Sequence, residues 1–154
     1  MPNWTFLALH FFHTMALVIW VGGMVTIGAI VAPVAFREAP DRGVAGRIVG
    51  LSLQRFDLLV VVCIVSLVVT SGLMAQWYGR WSVWYAVQYA CIALMSLSAL
   101  VSMTIVAPKM RSLRRRLEDG AMPTHGAEFD RLHQFAALSM RFNLACGTIA
   151  ILFS

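Results

Sequence analysis

The sequence predicts an all-α integral membrane protein, a four-transmembrane-helix bundle, and three observations lead there. Of its 154 residues 60% are hydrophobic and 12% charged, against roughly 45–50% and 25% in soluble globular chains. So few charged groups cannot cover a water-soluble fold of this length. Four apolar runs are bounded by charge, each of at least the roughly 20 residues that cross a hydrocarbon core of about 30 Å. Lys and Arg, finally, are concentrated on alternate connections between those runs, the pattern that fixes membrane topology. The length fits one domain.

The first span runs from about Trp4 to Phe36. It lacks a basic start, and its apolar run outlasts the roughly 7–15 residues of a signal-peptide core, so it is expected to remain as a helix. Between Asp41 and Arg55, Val44, Ile48, Leu51 and Phe56 recur at near-helical spacing with Arg42, Arg47 and Arg55 between them. That spacing predicts a short amphipathic helix on the membrane surface. The second span covers about Asp57 to Trp77 and the third about Val83 to Pro108, joined by a turn from Gly79 to Ser82. Asp119 to Glu128, with Gly120, Pro123 and Gly126, has loop composition. The fourth span runs from about Leu132 to Phe153.

Orientation follows from the basic residues. Arg37, Arg42, Arg47 and Arg55 join spans one and two; Lys109, Arg111, Arg114, Arg115, Arg116 and Arg131 join spans three and four; the opposite face holds only Arg80. The two basic segments are expected in the cytoplasm and both termini on the other side, where Trp4, Trp77, Trp81, Trp84 and Tyr85 would form an aromatic belt. The net charge of +5 is accounted for by these segments, so the expected partner is the lipid bilayer and not nucleic acid. Cys63, Cys91 and Cys146 lie singly in apolar runs, which excludes a disulfide framework and a zinc ribbon. Ile30-Val31-Ala32-Pro33 reappears as Ile105-Val106-Ala107-Pro108, 75 residues later. Both copies close an odd-numbered span, as a parallel repeat of two helical hairpins would require.

Polar side chains within hydrocarbon are costly, so each is a functional candidate. They are His10 and His13 on the first helix, Gln88 on the third, and His133, Arg141 and Asn143 on the fourth. No carboxylate lies deep in a span, which argues against hydrolytic chemistry. His10 and His13, three residues apart, can face one cavity, and imidazole is a common ligand for haem iron, copper and zinc. The plain alternative is that both rings hydrogen-bond at the interface. His10 is the better ligand candidate because Leu17 and Met24 continue its face. A haem joining His10 to His133 is disfavoured, since the two lie about 25 Å or more apart along the bundle. Partners for His10 in the outer half are Met74, Gln88, Cys91 and Cys146; Cys and Met suit Cu(I), although both residue types also serve as packing. Arg141 either snorkels or pairs with Asp57, Gln54 or an anionic ligand such as a haem propionate. Asn143 reads as a helix contact, and the small residues Gly22, Gly23, Gly28 and Ala32 as close-packing positions.

Leu9-His10, followed by Trp20-Val21-Gly22-Gly23, resembles an element shared by a superfamily of small four-helix bacterial membrane proteins. Its branches include the copper-resistance protein D domain and the HemJ-type protoporphyrinogen oxidases. The last helix, with Leu132-His133, Ser139 and Asn143-Leu144, is more similar to a third branch, a domain of unknown function that includes a eukaryotic transmembrane protein linked to platinum-drug resistance. The Ala-Pro steps at Pro33 and Pro108 suit that branch as well. The resemblance implies the bacterial inner membrane as location, haem b ligation carried over to His10 alone, and, through the copper branch, copper handling. The basic residue that pairs with haem in the HemJ-type branch has no evident counterpart here.

These readings lead to an expected haem b- or copper-binding protein with a redox or metal-handling role, using His10 with His13 and Arg141 nearby. One alternative is a permease for a small solute or metal, with Arg141 and His133 lining a vestibule. Another is a structural subunit or assembly factor docking a larger membrane complex through its small-residue faces, which would also support a homodimer.

Overall fold

The computed structural model describes residues 3–78, 83–118 and 124–153, and every regular element among them is helical. Helix α1, Asn3–Thr26, continues through a π-helical segment, Ile27–Val31, into α2, Ala32–Glu38; α3 spans Arg42–Tyr78. Helix α4, Val83–Val101, continues in the same way through Ser102–Val106 into α5, Ala107–Glu118, and α6 spans Thr124–Leu152. Four of these runs are long and apolar enough to cross a membrane: Trp4–Glu38, Arg42–Gln76, Val83–Leu113 and Asp130–Leu152. Large apolar side chains such as Phe11, Phe12, Val62 and Leu94 point outward, the arrangement that suits a hydrocarbon solvent. The chain is therefore an all-α, multi-pass membrane bundle in contact with lipid.

Two boundaries differ from expectation. Residues 42–55 are helical, but they form the first turns of α3 and not a separate surface helix. Asp41 starts that helix by accepting the Val44 N–H at 2.8 Å, a capping bond, and with no proline between Arg42 and Tyr78 nothing stops it before the span begins. The expected loop from Asp119 to Glu128 is shorter than its composition suggests, because α6 already begins at Thr124. Its first five residues lie outside the described residues, as does the Gly79 to Ser82 turn with Trp81.

Proline accounts for the irregular points. Ala39, ahead of Pro40, is extended with φ −74° and ψ 145°, the conformation that a following proline favours, and α2 ends there. Pro33 and Pro108 sit just after the two π-helical segments, and a proline ring clashes with the carbonyl four residues back. Each segment widens the turn ahead of the ring, the Ala32 N–H reaching Ile27 O and the Ala107 N–H reaching Ser102 O, so that one extra residue is absorbed without breaking the helix.

The π-helical segments coincide under the same 75-residue offset as the sequence echo, Ile27–Val31 falling on Ser102–Val106. Burial follows it too. On α1 the buried His13, Ala16, Leu17, Trp20 and Met24 correspond to the buried Gln88, Cys91, Ile92, Met95 and Ala99 of α4. At an offset of 83, Val60, Cys63 and Leu67 of α3 correspond to Asn143, Cys146 and Ala150 of α6, and all six are buried. Hairpin one (α1 to α3) and hairpin two (α4 to α6) are thus built on one plan.

In lipid no hydrophobic drive favours helix association, so close packing has to supply it. Gly23 receives the Phe56 ring of α3, Gly28 lies under the Met140 methyl, and Gly147 of α6 lies against both Val21 of α1 and Met95 of α4. Leu17, Trp20, Leu67, Met95 and His13 fill the centre. Trp84 stacks on Phe153 at 5.0 Å, and Lys109 pairs with Glu128 at 2.7 Å. These two contacts hold opposite ends of hairpin two in antiparallel register.

Candidate functional site

Among the described residues, His13 is the histidine that the bundle encloses, with 1% of its surface exposed. Its Nδ1 lies 2.9 Å from Thr70 Oγ1 on α3, and its Nε2 lies 3.2 Å from Gln88 Nε2 on α4. Thr70 spends its own hydroxyl proton on the Ser66 carbonyl at 2.7 Å, so its oxygen accepts from His13 Nδ1–H. The Gln88 amide then donates to the lone pair on Nε2. This pattern satisfies a neutral ring and ties three helices together through one side chain. It also leaves His13 no free lone pair for a metal, in contrast to the role expected from the sequence. Thr70 could not be found that way, because a threonine in an apolar helix ordinarily bonds back to its own backbone.

His10 does not join this network. Its partly buried ring lies flat on Phe6, centroids 5.8 Å apart and planes 23° from parallel. The pair of histidines therefore does not converge on one cavity, which corrects the sequence expectation: His13 turns inward to polar partners while His10 rests on an aromatic neighbour. A haem beside His10 would need a slot along α1. Deeper in the bundle, Leu17, Trp20, Leu67 and Met95 are each exposed by 1% or less.

On α6, Arg141 is exposed on the outside of the bundle beside Met140, whose methyl meets Gly28 at the first π-helical segment. It forms no ion pair among the described residues. His133 is exposed as well. Asn143 is buried at 6% exposure, and its Oδ1 finds no hydrogen-bond partner among the described residues.

The interior chemistry that does converge is sulfur. Cys91 of α4 and Cys146 of α6 are both buried on helices that pack against each other, and their thiols lie as neighbours. Met95 lies one turn beyond Cys91, fully buried, with its Sδ 3.5 Å from where a Cβ on Gly147 would stand. Gly147 is next to Cys146 in sequence, so Met95 packs on α6 at the level of Cys146, one turn from Cys91 on α4. Among the described residues no group of three or more His, Cys, Asp or Glu could hold a metal, so a third protein donor near the thiols would come from another residue type, such as the Met95 thioether. From the sequence, Cys91 and Cys146 were two among several outer-half candidates; their 55-residue separation conceals the contact, and the i, i+4 spacing of Cys91 and Met95 was the signal available.

The family model described as Domain of unknown function (DUF4149) matches residues 15–119, about two thirds of the chain. The protein belongs to the DUF4149 family. No curated protein and no solved structure matches it. The segment shared with the DUF4149 model includes Thr70, Gln88, Cys91, Met95 and both π-helical segments, while His13 and Cys146 lie outside it.

Proposed function

We propose that this DUF4149 protein handles a soft metal ion inside the membrane, with copper(I) as the reference ion and Cys91, Cys146 and Met95 as its ligands. The burial of Cys91 and Met95 on α4 and of Cys146 on α6, two helices packed against each other, carries this reading. Thiolate and thioether donors select Cu(I) over harder ions. A hydrocarbon-embedded site should also remain near neutral. Binding one monovalent ion with the loss of one thiol proton meets that condition, and Met95 adds a donor without adding charge. Resemblance to the copper-resistance branch points to the same ion. In this reading the basic helix ends face the cytoplasm of a bacterial inner membrane and both termini face the periplasm.

Anaerobic Cu(I) titration of detergent-purified protein against a chromogenic Cu(I) chelator tests it. One ion per chain is expected, lost in Cys91→Ala and in Cys146→Ala and kept in Cys63→Ala. Absence of binding, or binding indifferent to Cys91, would sink the proposal.

The matching burial of the two hairpins supports a second reading, a permease that moves a small solute or metal between them. Metal uptake into proteoliposomes separates it from a protein that only holds the ion. Equal uptake with and without the protein would count against it.

A further inference from the structure

The two hairpins serve as internal controls for each other, since the central buried positions of α1 and α3 have buried counterparts on α4 and α6. The shared element is the cysteine pair Cys63 and Cys146, both buried, at the 83-residue offset. One turn around it the copies differ, although farther along the same face the buried Met24 of hairpin one is replaced by Ala99. Where hairpin one has Ala16, Trp20 and Val60, hairpin two has Cys91, Met95 and Asn143. All six are buried. Three substitutions in one small region have thus replaced ordinary apolar packing with donor atoms. One of them, Asn143, holds an oxygen with no partner among the described residues. An unpaired buried polar group costs roughly 1–3 kcal/mol, so packing alone does not account for its presence.

We infer that the bundle contains two equivalent positions for the same soft ion, a complete one in hairpin two and a lapsed one in hairpin one, where Ala16 and Trp20 stand in place of the thiol and thioether ligands. The inference rests on the proposed metal role and adds its stoichiometry and location. One ion binds per chain, in hairpin two, while Cys63 alone is silent. The carrying geometry is the equivalence of Ala16 with Cys91 across from Cys63, a juxtaposition that follows from the coincident π-helical segments and burial patterns.

Ala16→Cys tests this with two readouts. In the first, Ala16→Cys is combined with Cys146→Ala, which removes the native thiol pair, and mild oxidation with diamide is followed by thiol counting. An intramolecular bridge to Cys63 is expected in nearly all molecules. Its absence would overturn the equivalence of the two hairpins whatever the protein binds. The second readout is anaerobic Cu(I) titration, in which Ala16→Cys combined with Trp20→Met, which supplies both missing donors, should double the bound copper from one ion per chain to two. A ratio that stays at one although the bridge forms would overturn the lapsed-site inference and leave the hairpin-two site standing. A wild-type ratio of zero would remove the metal role itself, and the bridging result would still decide whether the hairpins are equivalent. Retention of wild-type helicity and elution volume in each of these variants confirms that the readouts report on folded protein.

Discussion

His13 and Gln88 occupy the same position in the two hairpins, 75 residues apart, and they hydrogen-bond to each other with their Nε2 atoms 3.2 Å apart. With Thr70 bound to the other side of the ring, the contact joins the copies through a buried polar bond between counterpart residues. Gln88→Leu leaves His13 Nε2 unpaired and should destabilise the bundle by about 1 kcal/mol, the scale of an interhelical hydrogen bond in a membrane. His13→Ala removes both bonds and opens a cavity, for an expected cost of about 2–4 kcal/mol. Reversible unfolding in mixed micelles measures both, and equal stability of His13→Ala and wild type would contradict the structure.

The contact between Cys91 and Cys146 predicts selective oxidation. Brief diamide treatment should remove two of the three alkylatable thiols without forming dimers, and the one left should map to Cys63 by mass spectrometry. A bridge that instead included Cys63, or covalent dimers as the main product, would show that the two thiols do not meet.

Glycines differ sharply in what surrounds them. A Cβ on Gly147 would run into Val21 and press on the Met95 methyl at 3.1 Å, whereas a Cβ on Gly72 would meet nothing within 4 Å. Gly147→Ala is therefore expected to cost about 1–3 kcal/mol through overpacking. Gly72→Ala should be neutral or slightly stabilising, by at most about 1 kcal/mol, because alanine is the better helix former. Thermal aggregation onset of the two purified variants compares them directly, and the reverse order of stability would reject the packing described.

Asn143 gives the opposite kind of expectation. Leucine has the same number and branching of side-chain heavy atoms and removes an unsatisfied oxygen, so Asn143→Leu should leave stability unchanged or raise it by about 1 kcal/mol. Where that variant is more stable yet binds less copper, Asn143 serves the site and not the fold, a familiar trade between stability and function. A clear loss of stability would instead reveal a hydrogen bond that the residue makes in the membrane.

The exposed position of Arg141 leads to a plain expectation. Arg141→Gln should change Cu(I) binding less than twofold in the chelator titration, since the side chain faces away from the sulfur cluster. A loss of tenfold or more would place Arg141 in the site and favour the vestibule expected from sequence.

Much of the architecture was legible because lipid imposes it locally. A run such as Leu58 to Trp77 is long and apolar enough to be a span, and arginines at 37, 42, 47 and 55 bound it whatever the rest of the chain does. The repeat was visible only as four residues ending in Pro33 and Pro108, since apolar residues substitute freely for one another and erase similarity while burial persists. The candidate site was hardest to read. His10 and His13 have the same chemistry and nearly the same address, and rotation about the helix axis alone sends one to Thr70 and Gln88 and the other to Phe6.

What the sequence determined by itself is the set of four spans, their charged ends and the two prolines that widen each odd span, because these depend on the chain's contact with lipid and water and on neighbours a few residues away. Only the tertiary structure decided which polar groups meet. The His13 network and the contact of Cys91 with Cys146 join residues 55 to 75 positions apart, and such encounters are fixed by how helices rotate to bury glycines against bulky side chains, a balance distributed over the whole bundle.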